Sequence, residues 1–284
     1  MSPTVLASVI RAASVLSPRL AGAIAFRVFF STRPRMPVDA RHADIVRDAR
    51  RETIDVAGRR VAVLHWGDDG PLVVLLHGWR GRAAQFAALV PALRAAGHRV
   101  IAPDVPAHGD SQGGRVDVRD WLAVLAELQH RHGRFRAIVG HSFGGFAAIT
   151  AARRGLETDA VVAIAAAGRP GAFLDEFAAS FGLDVASYAD VERRFLRRVD
   201  ETRATLEEAY DALRHPLPDR VPLLLVHGEA DRQLPVSHSR DLAGATPGAE
   251  LVLMPGAAHA RVLREPATAD AVLAWLAFVP APPA

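Results

Sequence analysis

Three polar residues stand in apolar, glycine-marked surroundings: Ser142 in GHSFGG (140–145), Asp231 in HGEADRQLP (227–235) and His259 in PGAAHAR (255–261). A serine hydroxyl alone is a poor nucleophile. It needs a base within hydrogen-bond reach, and the base needs an orienting carboxylate. The pattern G-x-S-x-G carries chemistry when it falls where a strand ends and a helix begins, because the tight turn then lifts the hydroxyl out of the sheet. GHSFGG follows the strand-like RAIVG (136–140) and opens a helical stretch. The acid and then the histidine are expected downstream, in that order. Asp231 follows the apolar run VPLLLVHG (221–228), and His259 follows ELVLMPG (250–256). Glu229 is the competing acid. An oxyanion of such chemistry needs two backbone N–H donors. The residue after the nucleophile, Phe143, supplies one. Trp79 in HGWRG (77–81), at the end of another apolar run, is expected to supply the other.

Those loops need strands to carry them. Apolar runs at 53–56, 60–66, 71–78, 99–104, 136–140, 160–168, 221–228 and 250–256 read as strands. Helical patterns fall between them at 83–97, around Trp121, Leu122, Leu125 and Leu128, at 143–155, near 236–245 and at 266–278. Strands alternating with helices predict an α/β fold: a mostly parallel sheet with helices on both faces. In such sheets reactive groups gather at the C-terminal strand ends. Residues 51–168 and 221–284 would form that body. Residues 169–220 break the rhythm, being charged and helical with no strand-like run, and read as a cap insertion. Residues 1–50 form a separate N-terminal helical segment, with helices at about 4–16 and 18–30.

The stretches HGWRG, PDVPAHGDS (103–111), GHSFGG, HGEADRQLP and PGAAHARVLREP (255–266) together resemble the α/β-hydrolase superfamily over about residues 51–279. The resemblance implies a Ser–His–Asp hydrolase with a helical cap and no cofactor. Serine at position 142 is unlike the superfamily's haloalkane dehalogenases and epoxide hydrolases, which carry aspartate there. The chain is similar instead to esterase-like, C–C-hydrolase-like and peptidase-like members. The expected activity is cleavage of a carboxylic ester of a small or medium acyl substrate. Thioesterase, C–C hydrolase and aminopeptidase activities are alternatives on the same residues. A ligand-binding protein with little turnover is an alternative of another class. Ala107 and Ala258 replace glycines common in the family, and Asp104 and His108 are expected to hold their loop together rather than react.

Composition narrows the remaining classes. Half of the 284 residues are apolar, enough for a large core. With no cysteine, disulfides, thiolate catalysis and cysteine-based zinc sites are excluded. No metal-ligand cluster is expected, and His42, His98, His130 and His132 are read as surface residues. All 34 basic side chains are arginine, spread along the chain rather than clustered with aromatics, so no nucleic-acid partner is expected. Residues 1–38 contain no acid and hold arginines among apolar residues. Two readings follow. The N-terminal helices pack on the body of a cytoplasmic protein, or residues 1–36 contact a membrane peripherally at its inner face.

Overall fold

The computed structural model describes residues 3–280. Along the chain run α1 (Pro3–Leu16), α2 (Pro18–Phe29), α3 (Ala43–Arg47), β1 (Arg50–Val56), β2 (Arg59–Trp66), β3 (Leu72–Leu76), α4 (Val90–Ala95), β4 (Arg99–Pro103) and α5 (Val118–His132). Then come β5 (Ala137–His141), α6 (Phe143–Arg153), β6 (Val161–Ile164), α7 (Pro170–Phe181), α8 (Val185–Val199), α9 (Arg203–Tyr210), β7 (Leu223–Gly228), α10 (Ser237–Ala245), β8 (Glu250–Met254) and α11 (Pro266–Phe278). The strands form one eight-stranded sheet in the order β1-β2-β4-β3-β5-β6-β7-β8. The pairs β1/β2 and β2/β4 are antiparallel, and every other neighbour pair is parallel. This is the α/β-hydrolase fold.

The sequence explains the sheet. Every residue of β3 (LVVLL), β5 (AIVGH), β6 (VVAI) and β7 (LLLVHG) is buried, as central parallel strands covered on both faces require. One core lies on each face. The first contains Leu76, Trp121, Leu125 and Ile138; the second contains Phe86, Leu93, Val139 and Val226. The β1–β2 hairpin closes through Ala57 and Gly58, both at positive φ, and Asp55 Oδ1 accepts from the Gly58 N–H at 3.0 Å.

Two elements differ from the sequence expectation. The helix read over 83–97 is a 3₁₀ turn (Ala83–Phe86) followed by α4. Pro91 has no N–H and is tolerated only in the first turn of a helix, so α4 starts afresh there. The Ala83 N–H is held by Asp104 Oδ1 at 2.7 Å. The strand read over 160–168 stops at Ile164, because Ala165 turns to φ +49°.

The chain divides into two compact units, Met1–Ser31 with Arg169–Asp211, and Thr32–Gly168 with Ala212–Ala284. The first unit is all helical. Its core holds Ile10, Ala13, Ala21, Ala25, Leu174 and Val191, with Phe26, Phe29, Phe177 and Phe181 packed around it. Gly22 of α2 lies so close to α8 that a Cβ there would meet Asp190 Oδ2 at 2.5 Å. The N-terminal helices and the inserted helices therefore share one core. Residues 32–50 and 212–220, read from the sequence as parts of the two helical segments, fall with the α/β unit. Val46, Ala49, Ala212 and Leu217 are buried in its cores. Short apolar side chains in loops do not reveal by pattern which core they join.

Candidate active site

β5 delivers the chain to Ser142, whose φ of 54° and ψ of −121° lie outside the regions a non-glycine residue prefers. Such a conformation costs about 1–3 kcal/mol and persists only where its surroundings enforce it. Here the Ser142 N–H donates to the Ile164 carbonyl of β6 at 2.8 Å, and the Ser142 carbonyl accepts from the N–H groups of Gly145 and Phe146 at 3.0 and 3.1 Å. The turn is tight enough that a Cβ on Gly144 would lie 2.0 Å from the Leu76 carbonyl oxygen. α6 begins at Phe143, directing its first N–H groups and positive dipole end toward the turn.

β7 and β8 bring the other two residues together. Asp231 lies three residues beyond β7 and is 6% exposed. Its Oδ1 accepts from the backbone N–H of Gln233 and Leu234 at 2.9 and 3.0 Å. Its Oδ2 accepts from His259 Nδ1 at 2.6 Å. Burial alone would push this carboxyl up, but the hydrogen bonds from His227 and His259 outweigh burial and hold it well below the usual carboxylate range. Glu229 is exposed, so of the two acids Asp231 is the one that meets His259. Because Nδ1–H is committed to Asp231, the basic nitrogen of a neutral His259 is Nε2.

The His259 loop is fastened beside the serine. His141, the residue before Ser142, faces the His259 carbonyl with Nε2 at 2.9 Å and Gln85 Nε2 with Nδ1 at 3.3 Å. The carbonyl can only accept, so His141 carries its proton on Nε2. The two histidine rings stand 4.8 Å apart. Burial, reinforced by the nearby His259, depresses His141 to about 3, so it stays neutral.

The HGWRG segment packs against the same turn. A Cβ on Gly78 would fall 2.8 Å from the His141 carbonyl oxygen and 2.9 Å from Ser142 Cβ, and 3.4 Å from the Phe143 nitrogen. His77 fixes this segment. Its Nε2 accepts from the Val105 N–H at 2.9 Å, which leaves Nδ1–H to donate to the Gly78 carbonyl at 2.8 Å. Across a trans peptide the C=O and the next N–H point in opposite directions. Turning the Gly78 carbonyl toward His77 therefore turns the Trp79 N–H away from it. Burial depresses His77 to about 4. The Trp79 ring stacks on Trp121 at 5.6 Å and meets Phe143 edge-on at 5.4 Å.

Asp104 and His108 hold their loop as their positions suggest. Asp104 accepts from the N–H groups of Ala83 and Asp110, both at 2.7 Å, and His108 Nδ1 lies 3.0 Å from the Pro106 carbonyl. Ala107 stands at φ +66°, a backbone region that favours glycine.

The sequence reading missed three histidines. His77, His141 and His227 each adjoin a glycine at the end of β3, β5 or β7, and each is buried. His227 faces Ser239 Oγ at 2.7 Å, the Leu234 carbonyl at 2.8 Å and Asp231 Oδ2 at 3.3 Å. The signal was the repeated histidine–glycine pair at parallel strand ends. A second group was also missed. Glu52, His65 and His132 bring ligand-type atoms within 4.8 Å of one another, with His65 Nε2 2.9 Å from Glu52 Oε2. Arg131 and Arg50 stand 3.5 and 3.7 Å from the same carboxylate, so its charge is already met. His132, like His42 and His98, is partly covered rather than a surface residue; His130 is exposed.

Comparison with known proteins agrees with this fold. A model of the alpha/beta hydrolase family matches residues 73–273. The chain is 32% identical over 256 residues, 76% of its length, to the dihydrolipoyllysine-residue acetyltransferase component of the acetoin cleaving system of Pseudomonas putida, of which it covers 66%. It is 27% identical over 78% of its length to a monoacylglycerol lipase of Mycolicibacterium smegmatis, of which it covers 94%. Of other relatives it spans as little as 25% of the length. A solved structure of Est1E from Butyrivibrio proteoclasticus, with ferulic acid bound, superposes with a TM-score of 0.60 at 20% identity, covering 80% of this chain and 98% of that one. With the matched segment running from β3 into α11 and so containing all five candidate site residues, the chain belongs to the alpha/beta hydrolase family.

Proposed function

We propose that this protein is a serine hydrolase that cleaves a carboxylic ester of a small or medium acyl substrate, with Ser142 as nucleophile, His259 as general base and Asp231 as its orienting carboxylate. The observation that carries the reading is the 2.6 Å hydrogen bond between His259 Nδ1 and Asp231 Oδ2, in a loop tied through His141 to the residue before Ser142. A histidine held this way presents Nε2 as the base and lets the carboxylate stabilise the imidazolium that forms. Ser142 Oγ attacks the ester carbonyl as its proton passes to His259 Nε2. The carbonyl oxygen becomes an oxyanion, received by the N–H groups of Phe143 and Trp79. Collapse expels the alcohol, which takes the proton from His259 and leaves Ser142 acylated. Water, deprotonated by the same nitrogen, then releases the acid. The relative named as a lipase supports ester chemistry over the other bond types.

The test is a fluorophosphonate probe and a panel of p-nitrophenyl esters of increasing chain length. Ser142 is expected to be the labelled residue. Ser142→Ala is expected to remain folded and to lose hydrolysis by roughly 10³–10⁶-fold. Labelling at another residue, or full activity in the variant, overturns the assignment.

A further inference from the structure

α1 and α2 carry an apolar surface that their own core does not use. On α1, Leu6, Ile10 and Ala13 face the core of the helical unit. Val9, Ala12 and Leu16 recur at i, i+3 and i+7, forming a second stripe beside the first, and all three are exposed. Val15 is 87% and Leu16 81% exposed, and Leu20 at the start of α2 is exposed too. The corner VLSPRL (15–20) thus points three aliphatic side chains, Val15, Leu16 and Leu20, at solvent around a single charge, Arg19. Arg11 is the only charged residue in the 14 of α1. A helix apolar round most of its circumference is otherwise found inside a core or in contact with a membrane.

Val185 extends the surface and is 87% exposed. It opens α8, and the link from α7 that leads into it lies against the end of α1: a Cβ on Gly182 would come within 3.7 Å of Arg11, and Asp184 hydrogen-bonds Ser14. Of the large exposed apolar side chains among the described residues, all but Met36 and Phe278 belong to this one helical unit.

We propose that this face docks on an anionic lipid bilayer, with the 15–20 corner entering the headgroup region and Arg11, Arg19 and Arg27 pairing with lipid phosphates. Charge selects this occupant. The three arginines are exposed, no acid precedes Asp39, and against them stands the single carboxylate of Asp184 beside Val185, so the named groups sum to a positive charge. A second copy of the chain would set arginines against arginines across a two-fold contact, whereas anionic headgroups complement them. The geometry is interfacial rather than spanning. α1 is roughly 21 Å long at 1.5 Å per residue, and no helix among the described residues is long and apolar enough to cross a membrane. An amphipathic face of this kind buries its side chains about 5–10 Å into the headgroup boundary.

The experiment is sedimentation of the full chain with vesicles of phosphatidylcholine containing 30% phosphatidylglycerol, against pure phosphatidylcholine. Binding is expected to the anionic vesicles, weaker by roughly 10-fold in 0.5 M than in 0.05 M NaCl because the arginine part is screened. Val15→Asp with Leu16→Asp is expected to cut binding by roughly 10-fold or more, and Arg11→Glu with Arg19→Glu to abolish the preference for anionic lipid. The chain has no native cysteine, so Val15→Cys gives a single attachment site for an environment-sensitive fluorophore. Its emission is expected to shift to the blue on anionic vesicles alone. A fluorophore that does not respond, aspartate variants that bind like the parent, or a concentration-dependent dimer with no vesicle binding each overturns the proposal.

Discussion

At Asp231, hydrogen-bond partners outweigh the loss of solvation. Four donors converge on one nearly buried carboxylate: two backbone N–H groups, His259 and His227. Replacing it with asparagine keeps the shape but removes the charge and lets the amide donate to Nδ1, so His259 takes the wrong tautomer. Asp231→Asn is expected to lower kcat on the order of 10³–10⁴-fold, while Glu229→Gln, on an exposed side chain, leaves it unchanged. Steady-state kinetics on one p-nitrophenyl ester compares the two. Equal losses would return Glu229 to the assignment. His77 acts at one remove, through the carbonyl of Gly78. His77→Phe leaves that carbonyl held by the Gly81 N–H alone, at 3.0 Å, and so loosens the orientation of the Trp79 N–H. If the Trp79 N–H receives the oxyanion as proposed, the expected signature is a fall in kcat with little change in KM, since such a donor acts in the transition state. A loss confined to KM would place Trp79 outside the oxyanion site.

Between elements, the spacing of β3, β5 and α6 decides what the turn at Ser142 can do. A methyl on Gly78 would press on Ser142 Cβ at 2.9 Å and on the His141 carbonyl at 2.8 Å. Both distances are shorter than a side-chain Cβ keeps, and one neighbour is backbone, so the turn itself must shift. Gly78→Ala is therefore expected to cost activity out of proportion to stability, with kcat down about 10²-fold for a displacement approaching 1 Å. A melting temperature that falls while kcat holds would show a merely structural glycine. Much of this arrangement was legible in advance. The central strands are uninterrupted apolar runs, and Ser142, Asp231 and His259 stand where those runs end. The N-terminal side of the sheet was harder. The helix expected over 83–97 is broken where Pro91 restarts it, a signal the local sequence does carry, whereas the capture of the Ala83 N–H by Asp104, twenty-one residues away, is announced by nothing local. The core shared by α1, α2, α7 and α8 was hidden for the same reason, since helical periodicity shows which side is apolar and not what it meets.

For the whole molecule, buried histidines at two strand ends and in the loop after β4 tie stability to pH. His77, His108 and His141 are buried, and burial depresses them to about 4, 3 and 3. Unfolded histidine titrates near 6.5. Below that pH the unfolded chain therefore takes up protons that the folded chain refuses, and stability falls as pH drops from about 6.5 toward 4. Asp231 adds to the loss lower down. Its folded carboxyl titrates below the unfolded value, so the stability it contributes is complete above about pH 4 and disappears as pH falls beneath that. Asp104 works against both, because burial raises it and its protonation favours the folded chain. Three histidines against one carboxyl leave the net sign set between pH 7 and 5. Urea unfolding at pH 7.5, 6.0 and 5.0 is expected to show a loss on the order of several kcal/mol across that range, and replacing His108 with glutamine is expected to flatten part of it. A midpoint that does not move between pH 7.5 and 5.0 would mean that these rings are charged or solvated in the folded chain, contrary to their burial at the ends of the sheet.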